Sequence, residues 1–157
     1  MKFHLYNIGK PDTDFLVAGI NNYTDRLKHF IDFTITDLPV LKQGKNLSVE
    51  LYKQKEGEII KKAIIKSDIV IILDENGTEY DSRTFADWFN RIMNQGVKQV
   101  AFVTGGAYGF SEDIYKIADH KISLSKMTYT HQLVRLVFIE QLYRACTILK
   151  GLPYHND

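Results

Sequence analysis

The sequence predicts a single α/β domain over residues 1–157, built on a mainly parallel sheet with helices on both faces. Segments typical of strands alternate with segments typical of helices along the whole chain, as parallel sheets require. Residues 69–73 form a continuous aliphatic run, bounded by Asp68 and Asp74, which is typical of a central strand buried on both faces. No repeat, linker or low-complexity tract interrupts the pattern, and a chain of 157 residues can bury one substantial core.

The first half of the chain predicts two strands and two helices before that central strand. Residues 3–8 alternate between apolar and polar side chains and predict the first strand. Residues 14–30 carry apolar side chains at helical spacing, and residues 33–38 predict the second strand. Residues 40–48 predict a polar loop whose last residue, a serine, caps a helix that extends to about residue 65.

The second half predicts two more strands and three more helices. Ser82 is expected to cap a helix of about three turns, and residues 100–104 predict an apolar strand. Ser111 precedes a short helix whose acidic first residues suit the helix dipole. Residues 122–125 predict the last strand, which a polar, ring-bearing loop connects to a long apolar helix.

This last helix, over residues 133–149, has apolar side chains around nearly its whole circumference. A helix that is apolar all round must be covered on all sides, and one small sheet covers only one side. The pattern therefore predicts that a second copy of the chain covers the rest, as in a homodimer.

Charge and cysteine content limit the class of protein. The net charge is +1, so the whole molecule is not committed to nucleic acid, although residues 121–157 hold five Lys and Arg against two acidic residues. That excess either guides an anionic partner or forms a solvated face. The single cysteine, Cys146, is predicted to be a small core residue. The longest aliphatic run, residues 69–73, is too short to cross a bilayer, and the N-terminus has no long apolar segment, so we expect a cytoplasmic protein with no membrane contact.

Three loops follow three successive predicted strands, after Leu73, after Thr104 and after Ser125. In a parallel sheet all three emerge at the carboxyl edge, which is where ligands bind. The second loop is rich in glycine, at residues 105–109, but matches neither the triphosphate-binding nor the dinucleotide-binding pattern. Taken alone, it is equally well explained as a turn that needs glycine.

Several polar groups near these loops are ambiguous. Residues 74–77, Asp-Glu-Asn-Gly, favour an exposed turn over an acid–base pair. His131 and Arg135 lie one helical turn apart, yet satisfied histidines are common at helix starts. No spacing typical of metal ligands and no set of nucleophile, base and orienting residue is visible, so neither a metal site nor covalent catalysis is expected.

A larger set of motifs carries a resemblance to a known family. The segments concerned are FHLYNIGK (3–10), KQKEG (53–57), FVTGG with Gly109 (102–109), LSKMT (124–128), His131, LVR (133–135), EQLYRA (140–145) and PYH (153–155). Over essentially its full length the chain resembles the RlmH-type SPOUT methyltransferases. These segments together are far more specific than any one of them.

The resemblance implies a function and a fold in more detail than the residues alone do. It implies a SPOUT-type α/β knot, with a C-terminal trefoil knot, and a homodimer. It implies that S-adenosylmethionine is the methyl donor and that the target is N3 of a pseudouridine in helix 69 of 23S rRNA. Because the chain has no RNA-binding appendage and little net charge, we expect it to act on assembled ribosomes rather than on free RNA.

The resemblance also implies the roles of particular residues. The last loop would wrap the cofactor, and residues of the tail from this or the partner subunit would act on the base. The residues expected to bind the cofactor are Leu73, Gly105, Ser123, Leu124, Ser125, Lys126, Met127 and Thr128. The residues expected to be catalytic are Arg144, Tyr154 and His155, and those expected to bind the substrate are His131 and Arg135.

Two alternatives stay open at this point. A SPOUT enzyme that modifies another ribosomal or transfer RNA nucleotide would share most of these motifs. A flavodoxin-like nucleotide-binding module would explain the α/β pattern and the glycine loop, but not the apolar last helix or the PYH tail.

Overall fold

The computed structural model describes residues 1–41 and 47–156 of the chain. Within these residues the chain forms ten helices and strands, which together make one parallel sheet with helices packed on it. In chain order they are β1 (Lys2–Ile8), α1 (Asp14–Leu27), β2 (Asp32–Leu38), α2 (Val49–Ile64), β3 (Ile69–Glu79), α3 (Ser82–Met93), β4 (Gln99–Thr104), α4 (Glu112–Ile117), β5 (His120–Ser123) and α5 (Leu133–Leu149). Most of the polar loop predicted for residues 40–48 lies outside the described residues.

The five strands lie in the order β2-β1-β4-β3-β5, and every pair of neighbours is parallel. This confirms the predicted α/β class. β3, β4 and β5 are adjacent, so the loops that follow them meet at one edge of the sheet. The convergence of the three loops that the sequence predicts is therefore a property of the strand order.

The core has two halves, one on each face of the sheet. Ile71 and Phe102 point to the face that α1, α3 and α5 cover, whereas Ile72 and Val103 point to the face that α2 and α4 cover. All four side chains are fully buried. Successive residues of a strand point to opposite faces, so a continuous apolar run is what a strand covered on both sides requires. Helices on both faces are confirmed.

Two of the predicted helix caps have different outcomes. Ser48 caps α2 as predicted, because its hydroxyl accepts a hydrogen bond from the backbone N–H of Leu51 at 3.2 Å. At α3 the prediction of Ser82 is wrong by one residue: the carboxylate of Asp81 accepts the N–H of Thr84 at 2.8 Å. The hydrogen bonds from Thr84 lower the pKa of Asp81, as expected for a carboxylate at a helix N-terminus.

β3 extends further than the sequence predicts. Leu73 and Thr78 both pair with Ile122, so residues 74–77 bulge out of an otherwise continuous strand. Within the bulge the Asp74 carboxylate accepts the N–H of Asn76 at 2.9 Å, which is the local turn expected there. The strand resumes afterwards because its second half still finds a partner in β5.

The last helix is buried on one side only within a single chain. Phe138, Ile139, Leu142, Ala145 and Cys146 are buried against α1, α3 and the sheet, while Leu133, Leu136, Val137, Tyr143, Ile148 and Leu149 are exposed or partly exposed. Cys146 is thus a core residue, as predicted, and burial raises the pKa of its thiol to about 12. Among residues 1–41 and 47–156, no helix is long and apolar enough to span a membrane.

Candidate active site

A cavity of about 600 Å³ opens at the carboxyl edge of β3, β4 and β5. All three loops singled out in the sequence contribute to its walls. The lining residues are Leu73, Asp74, Glu75, Asn76, the segment 105–110, Tyr115, the segment 122–125, the segment 127–131 and Val134. The volume lies in the range of sites that enclose small molecules and cofactors, about 300–1,000 Å³.

Seven of the eight residues expected to bind the cofactor line this cavity, namely Leu73, Gly105, Ser123, Leu124, Ser125, Met127 and Thr128. The eighth, Lys126, does not. Its side chain is 87% exposed, and its ammonium lies 3.8 Å from the carboxylate of Glu79. The side chain of Lys126 therefore points away from the cavity that its neighbours surround.

The loop after β5 is held by its own hydroxyl groups. The Ser123 hydroxyl donates to the backbone carbonyl of Ser125 at 3.0 Å, and the Ser125 hydroxyl accepts the N–H of Met127 at 2.9 Å. Further along, the hydroxyl of Thr130 accepts the N–H of Leu133, the first residue of α5, at 3.1 Å. Short polar side chains thus fix the path of the backbone between strand and helix.

The glycine loop, residues 105–109, forms a second wall. It closes on itself through a hydrogen bond from the Gly109 N–H to the Gly106 carbonyl at 3.1 Å. Gly109 has a φ of +76°, which only glycine adopts without strain. The loop is therefore a turn that needs glycine and also a wall of the cavity. The two interpretations of the sequence, a structural turn and part of a ligand site, do not exclude each other.

Carboxylates from the β3 bulge make the third wall negatively charged. Asp74 accepts the hydroxyl of Tyr115 at 2.5 Å, and the pKa of Tyr115 is raised, first by burial and then by this carboxylate. Glu75 reaches across to the last loop, where the hydroxyl of Thr128 lies 3.4 Å from its carboxylate. A wall of this charge favours a cationic ligand.

The two residues expected to bind substrate lie in different places. His131 lines the cavity. Arg135 is only 1% exposed, and its guanidinium donates to the backbone carbonyls of Ile8 at 2.6 Å, Gly9 at 2.7 Å and His131 at 3.1 Å. Burial lowers the pKa of Arg135, while the Asp37 carboxylate at 3.9 Å acts in the opposite direction. This position ties the end of β1 to the start of α5 and does not support direct contact with a substrate.

The expected catalytic residues form a second group, which we call the C-terminal cluster: Tyr23, Glu140, Arg144, Tyr154 and His155. Glu140 is its centre, because one carboxylate oxygen accepts hydrogen bonds from Arg144 at 2.6 Å and from the Tyr154 hydroxyl at 2.9 Å. His155 Nδ1 lies 3.3 Å from Arg144, whose guanidinium stacks 4.7 Å from the centre of the Tyr154 ring. The hydroxyl of Tyr23 lies 3.3 Å from that of Tyr154. The structure therefore brings all three predicted catalytic residues together.

Sequence reasoning did not assign a role to Glu140 or Tyr23. A signal existed for Glu140, because a glutamate four residues before an arginine on a helix predicts an ion pair. Nothing in the sequence connects Tyr23 to a residue 131 positions later. Tyr23 reaches the cluster only because α1 packs against α5 on the same face of the sheet.

The cavity and the C-terminal cluster do not meet within one chain. Val134 lines the cavity, whereas Glu140 and Arg144 follow it by six and ten residues on α5. At 1.5 Å per residue these positions are roughly 9 and 15 Å further along the helix axis. No member of the cluster is among the residues that line the cavity.

Gly77 is the residue of the bulge that cannot carry a side chain. A Cβ there would lie 2.5–2.7 Å from backbone atoms of Ile122 and Lys121 in β5. We expect Gly77→Ala to destabilise the fold by about 1–3 kcal/mol, to lower Tm by roughly 3–10 °C, and to weaken cofactor binding, since β5 leads into the cavity wall. Thermal unfolding and titration with S-adenosylhomocysteine measure both. Thr78→Ala is the matched control, because Thr78 is exposed and does not line the cavity; equal Tm and affinity in the two variants would contradict the prediction.

Together, the sheet and its cavity define an α/β protein with a ligand site at the carboxyl edge of parallel strands. The chain belongs to the SPOUT methyltransferase family, because the family model described as "Predicted SPOUT methyltransferase" matches residues 1–155. The match confirms the family suggested by the sequence motifs, and with it a methyltransferase whose methyl donor is S-adenosylmethionine. It also removes the flavodoxin-like alternative.

Relatives with assigned names are similar over their whole length. A protein of Christiangramia forsetii is 53% identical over 156 residues, which is 99% of each chain, and one of Phocaeicola vulgatus is 50% identical over 157 residues, which is all of each chain. Both are named Ribosomal RNA large subunit methyltransferase H. Among solved structures, a probable methyltransferase of Bordetella pertussis Tohama I aligns with a TM-score of 0.53 at 12% identity, covering 92% of this chain and 93% of that one. This last likeness concerns the fold alone.

In the described ranges 1–41 and 47–156, no group of three or more His, Cys, Asp and Glu residues is arranged to hold a metal ion. The predicted trefoil knot and the predicted homodimer stay predictions.

Proposed function

We propose that this chain methylates N3 of a pseudouridine in helix 69 of 23S rRNA, on assembled ribosomes in the cytoplasm, as a homodimer. The observation that carries the proposal is the similarity to ribosomal RNA large subunit methyltransferases, at about half of all positions and over essentially the whole chain. The residues of the chain support it in four respects, which concern the cofactor, the base, the second subunit and the RNA.

The cavity fits S-adenosylmethionine in size and in charge. The cofactor carries a sulfonium and an ammonium group, and the wall that Asp74 and Glu75 supply is negatively charged. Backbone groups of Leu73, Gly105 and the segment 123–128 would hold its adenosine. When bound, the cofactor supplies an electrophilic methyl group, so neither a metal ion nor a covalent intermediate is required. The protein has to place N3 in line with that methyl group.

The C-terminal cluster suits the chemistry of the base. N3 lies between two carbonyl groups, so loss of its proton spreads negative charge over their oxygens. Arg144 would stabilise that charge. The hydrogen bond that Arg144 donates to the Glu140 carboxylate raises the pKa of Arg144, which keeps the guanidinium charged. Burial, and then hydrogen bonds with Tyr23 and Glu140, raise the pKa of Tyr154, so its phenol stays protonated and can hold the base. His155 is left as the acceptor of the N3 proton.

A second subunit would bring the two halves of the site together. Within one chain the cluster lies roughly 9–15 Å along α5 from the cavity. Three large apolar side chains on α1, on α5 and in the tail are exposed within one chain. Phe15 is 65% exposed, Leu152 is 44% exposed and Leu133 is 36% exposed. We propose that the tail of one subunit reaches the cavity of the other and that these apolar side chains are covered between them.

The weak overall charge bears on the form of the RNA. Affinity for free RNA rests mainly on basic residues that neutralise phosphates, and the net charge of this chain is only +1. Recognition by the shape of an assembled particle needs fewer such contacts. His131 is the residue we propose to meet the RNA at the rim of the cavity.

The test is methyl transfer from labelled S-adenosylmethionine to assembled ribosomes, isolated large subunits and naked rRNA, with the product located by mass spectrometry. We expect a single methylated pseudouridine on assembled ribosomes alone. Methylation of another nucleotide would keep the family and overturn the target. Equal transfer to naked rRNA would overturn recognition by shape.

A further inference from the structure

Helix α2 packs against the glycine loop from the side that faces away from the cavity. Three residues on one face of this helix make the contact, Tyr52, Glu56 and Gly57. All three are buried, and none of them lines the cavity. Their position behind a cavity wall means that they influence the shape of the wall without touching a ligand.

One of these close approaches is between the carboxyl group of Glu56 and Gly106. A Cβ at position 106 would lie 2.5 Å from one carboxyl oxygen of Glu56 and 2.7 Å from the other. Glu56 is only 2% exposed, and its Oε2 has no hydrogen-bond partner among the described residues. A buried polar atom without a partner costs free energy, so its retention at this place calls for an explanation.

The neighbouring contacts hold the carboxyl group in place. A side chain at position 57 would collide with the hydroxyl of Ser111, so glycine lets α2 approach closely there. Ser111 leads from the glycine loop into α4. The ring of Tyr52, one helical turn before Glu56, packs edge-on against Tyr108 of the glycine loop, with 5.2 Å between the ring centres. α2 and the loop therefore fit each other at the middle and at both ends.

The surroundings of Glu56 favour its neutral form. Burial raises the pKa of its carboxyl group, and the hydrogen bond from Tyr52 offsets part of that effect. Burial and the phenol of Tyr52 are the influences that act on this carboxyl group, and neither brings a cation. A neutral carboxyl group can lie against a peptide backbone at a much lower cost than a charged one.

We infer that Glu56 is a positioning residue for the cofactor: its carboxyl group supports Gly106 from behind and keeps the glycine loop in the shape that binds S-adenosylmethionine. The inference rests on the cavity being the cofactor site, as proposed above. It assigns to α2 a part in cofactor affinity that the cavity lining alone does not reveal. Glu56 takes no part in the transfer step itself.

Two substitutions at Glu56 in the full-length protein test the inference. Glu56→Ala removes the support, so we expect Kd for S-adenosylhomocysteine and KM for S-adenosylmethionine to rise about tenfold, with kcat on ribosomes within about twofold of the wild type. Glu56→Gln keeps the shape of the side chain and a polar group at the same place, so we expect both constants to stay within about threefold of the wild type. Glu58→Ala, on an exposed position of the same helix, is the control.

Three results would overturn the inference: unchanged affinity in Glu56→Ala, an equal defect in Glu56→Gln, or a loss confined to kcat. If Glu56→Ala does not fold, Gly106→Ala approaches the same contact from the loop. Its methyl group collides with the carboxyl group, so it should weaken S-adenosylhomocysteine binding, and an unchanged affinity there would equally overturn the inference. Failure of the cofactor proposal is distinguishable, because then the wild type itself would not bind S-adenosylhomocysteine in this cavity.

Discussion

Replacing Arg144 by alanine should lower kcat for methyl transfer by a factor of about 10² to 10³ and leave the affinity for S-adenosylhomocysteine unchanged. Among the five residues of the C-terminal cluster, Arg144 is the one that places a guanidinium beside Tyr154 and His155. It is held there by Glu140 at 2.6 Å, so its charge is already oriented before any RNA arrives. Removing it takes away a charge that acts on the reacting base and not on the cofactor.

Single-turnover methylation of ribosomes and calorimetric titration with S-adenosylhomocysteine measure the two quantities separately. Arg91→Ala is the matched control, because Arg91 is exposed on α3. A variant at position 144 with near-normal turnover would remove the C-terminal cluster from the proposed reaction. A variant with lost cofactor affinity would place Arg144 at the cofactor instead.

Mixing Arg144→Ala with Gly77→Ala, at a concentration of S-adenosylmethionine too low to load the cavity of Gly77→Ala, tests whether the site is shared between subunits. Arg144→Ala leaves the cavity intact, and Gly77→Ala leaves the C-terminal cluster intact. If each site combines a cavity with the partner's cluster, subunit exchange in an equal mixture should restore about a quarter of wild-type activity, because half of the dimers then hold one complete site. No recovery after verified exchange would show that each chain uses its own cluster.

Replacing Arg135 by methionine should destabilise the fold by about 3–5 kcal/mol, which corresponds to a fall in Tm of roughly 10 °C. Methionine keeps much of the buried volume but donates no hydrogen bond. The backbone carbonyls of Ile8, Gly9 and His131 then lose donors at 2.6, 2.7 and 3.1 Å in the interior. Unsatisfied buried carbonyls account for most of the cost.

Urea unfolding and thermal unfolding measure this loss, again with Arg91→Ala as the control. The fraction of Arg135→Met that stays folded at low temperature should methylate ribosomes at a rate close to that of the wild type. Stability within about 1 kcal/mol of the wild type, combined with a large rise in KM for ribosomes, would instead support the substrate-binding role that the sequence suggested.

Arg144 and Arg135 show which contacts could be predicted from the sequence and which could not. Arg144 was grouped with Tyr154 and His155 through the family resemblance, and the three residues contact one another in the structure. Arg135 was expected to face the substrate, since helical spacing puts it on the same face as His131. Its actual partners are carbonyls at the end of β1, 126 and 127 residues earlier. Contacts of that range are set by the strand order and leave no trace in local spacing.

The strands show the same division. The apolar runs of β3 and β4 predict central strands correctly, because only a strand in a sheet covered on both faces can bury every residue of such a run. The second half of β3 contains Asp, Glu, Asn and Gly, which have low strand propensity, and the sequence favoured a turn there. Pairing of Thr78 with Ile122 prolongs the strand regardless, because a hydrogen-bonding partner 44 residues away outweighs the local preference.

The order of strands also determines when this protein can fold during its synthesis. β1 pairs with β2 on one side, but its other edge pairs with β4, where Phe3 lies opposite Val100. The face of the sheet that α1 begins to cover is closed only by α5, the last helix of the chain. A nascent chain therefore carries an unpaired edge of β1 until β4 has been made, and an incompletely covered apolar face until α5 has left the translating ribosome. The cavity wall itself includes residues 127–131 and Val134, so the ligand site can close only when the chain up to α5 has been made.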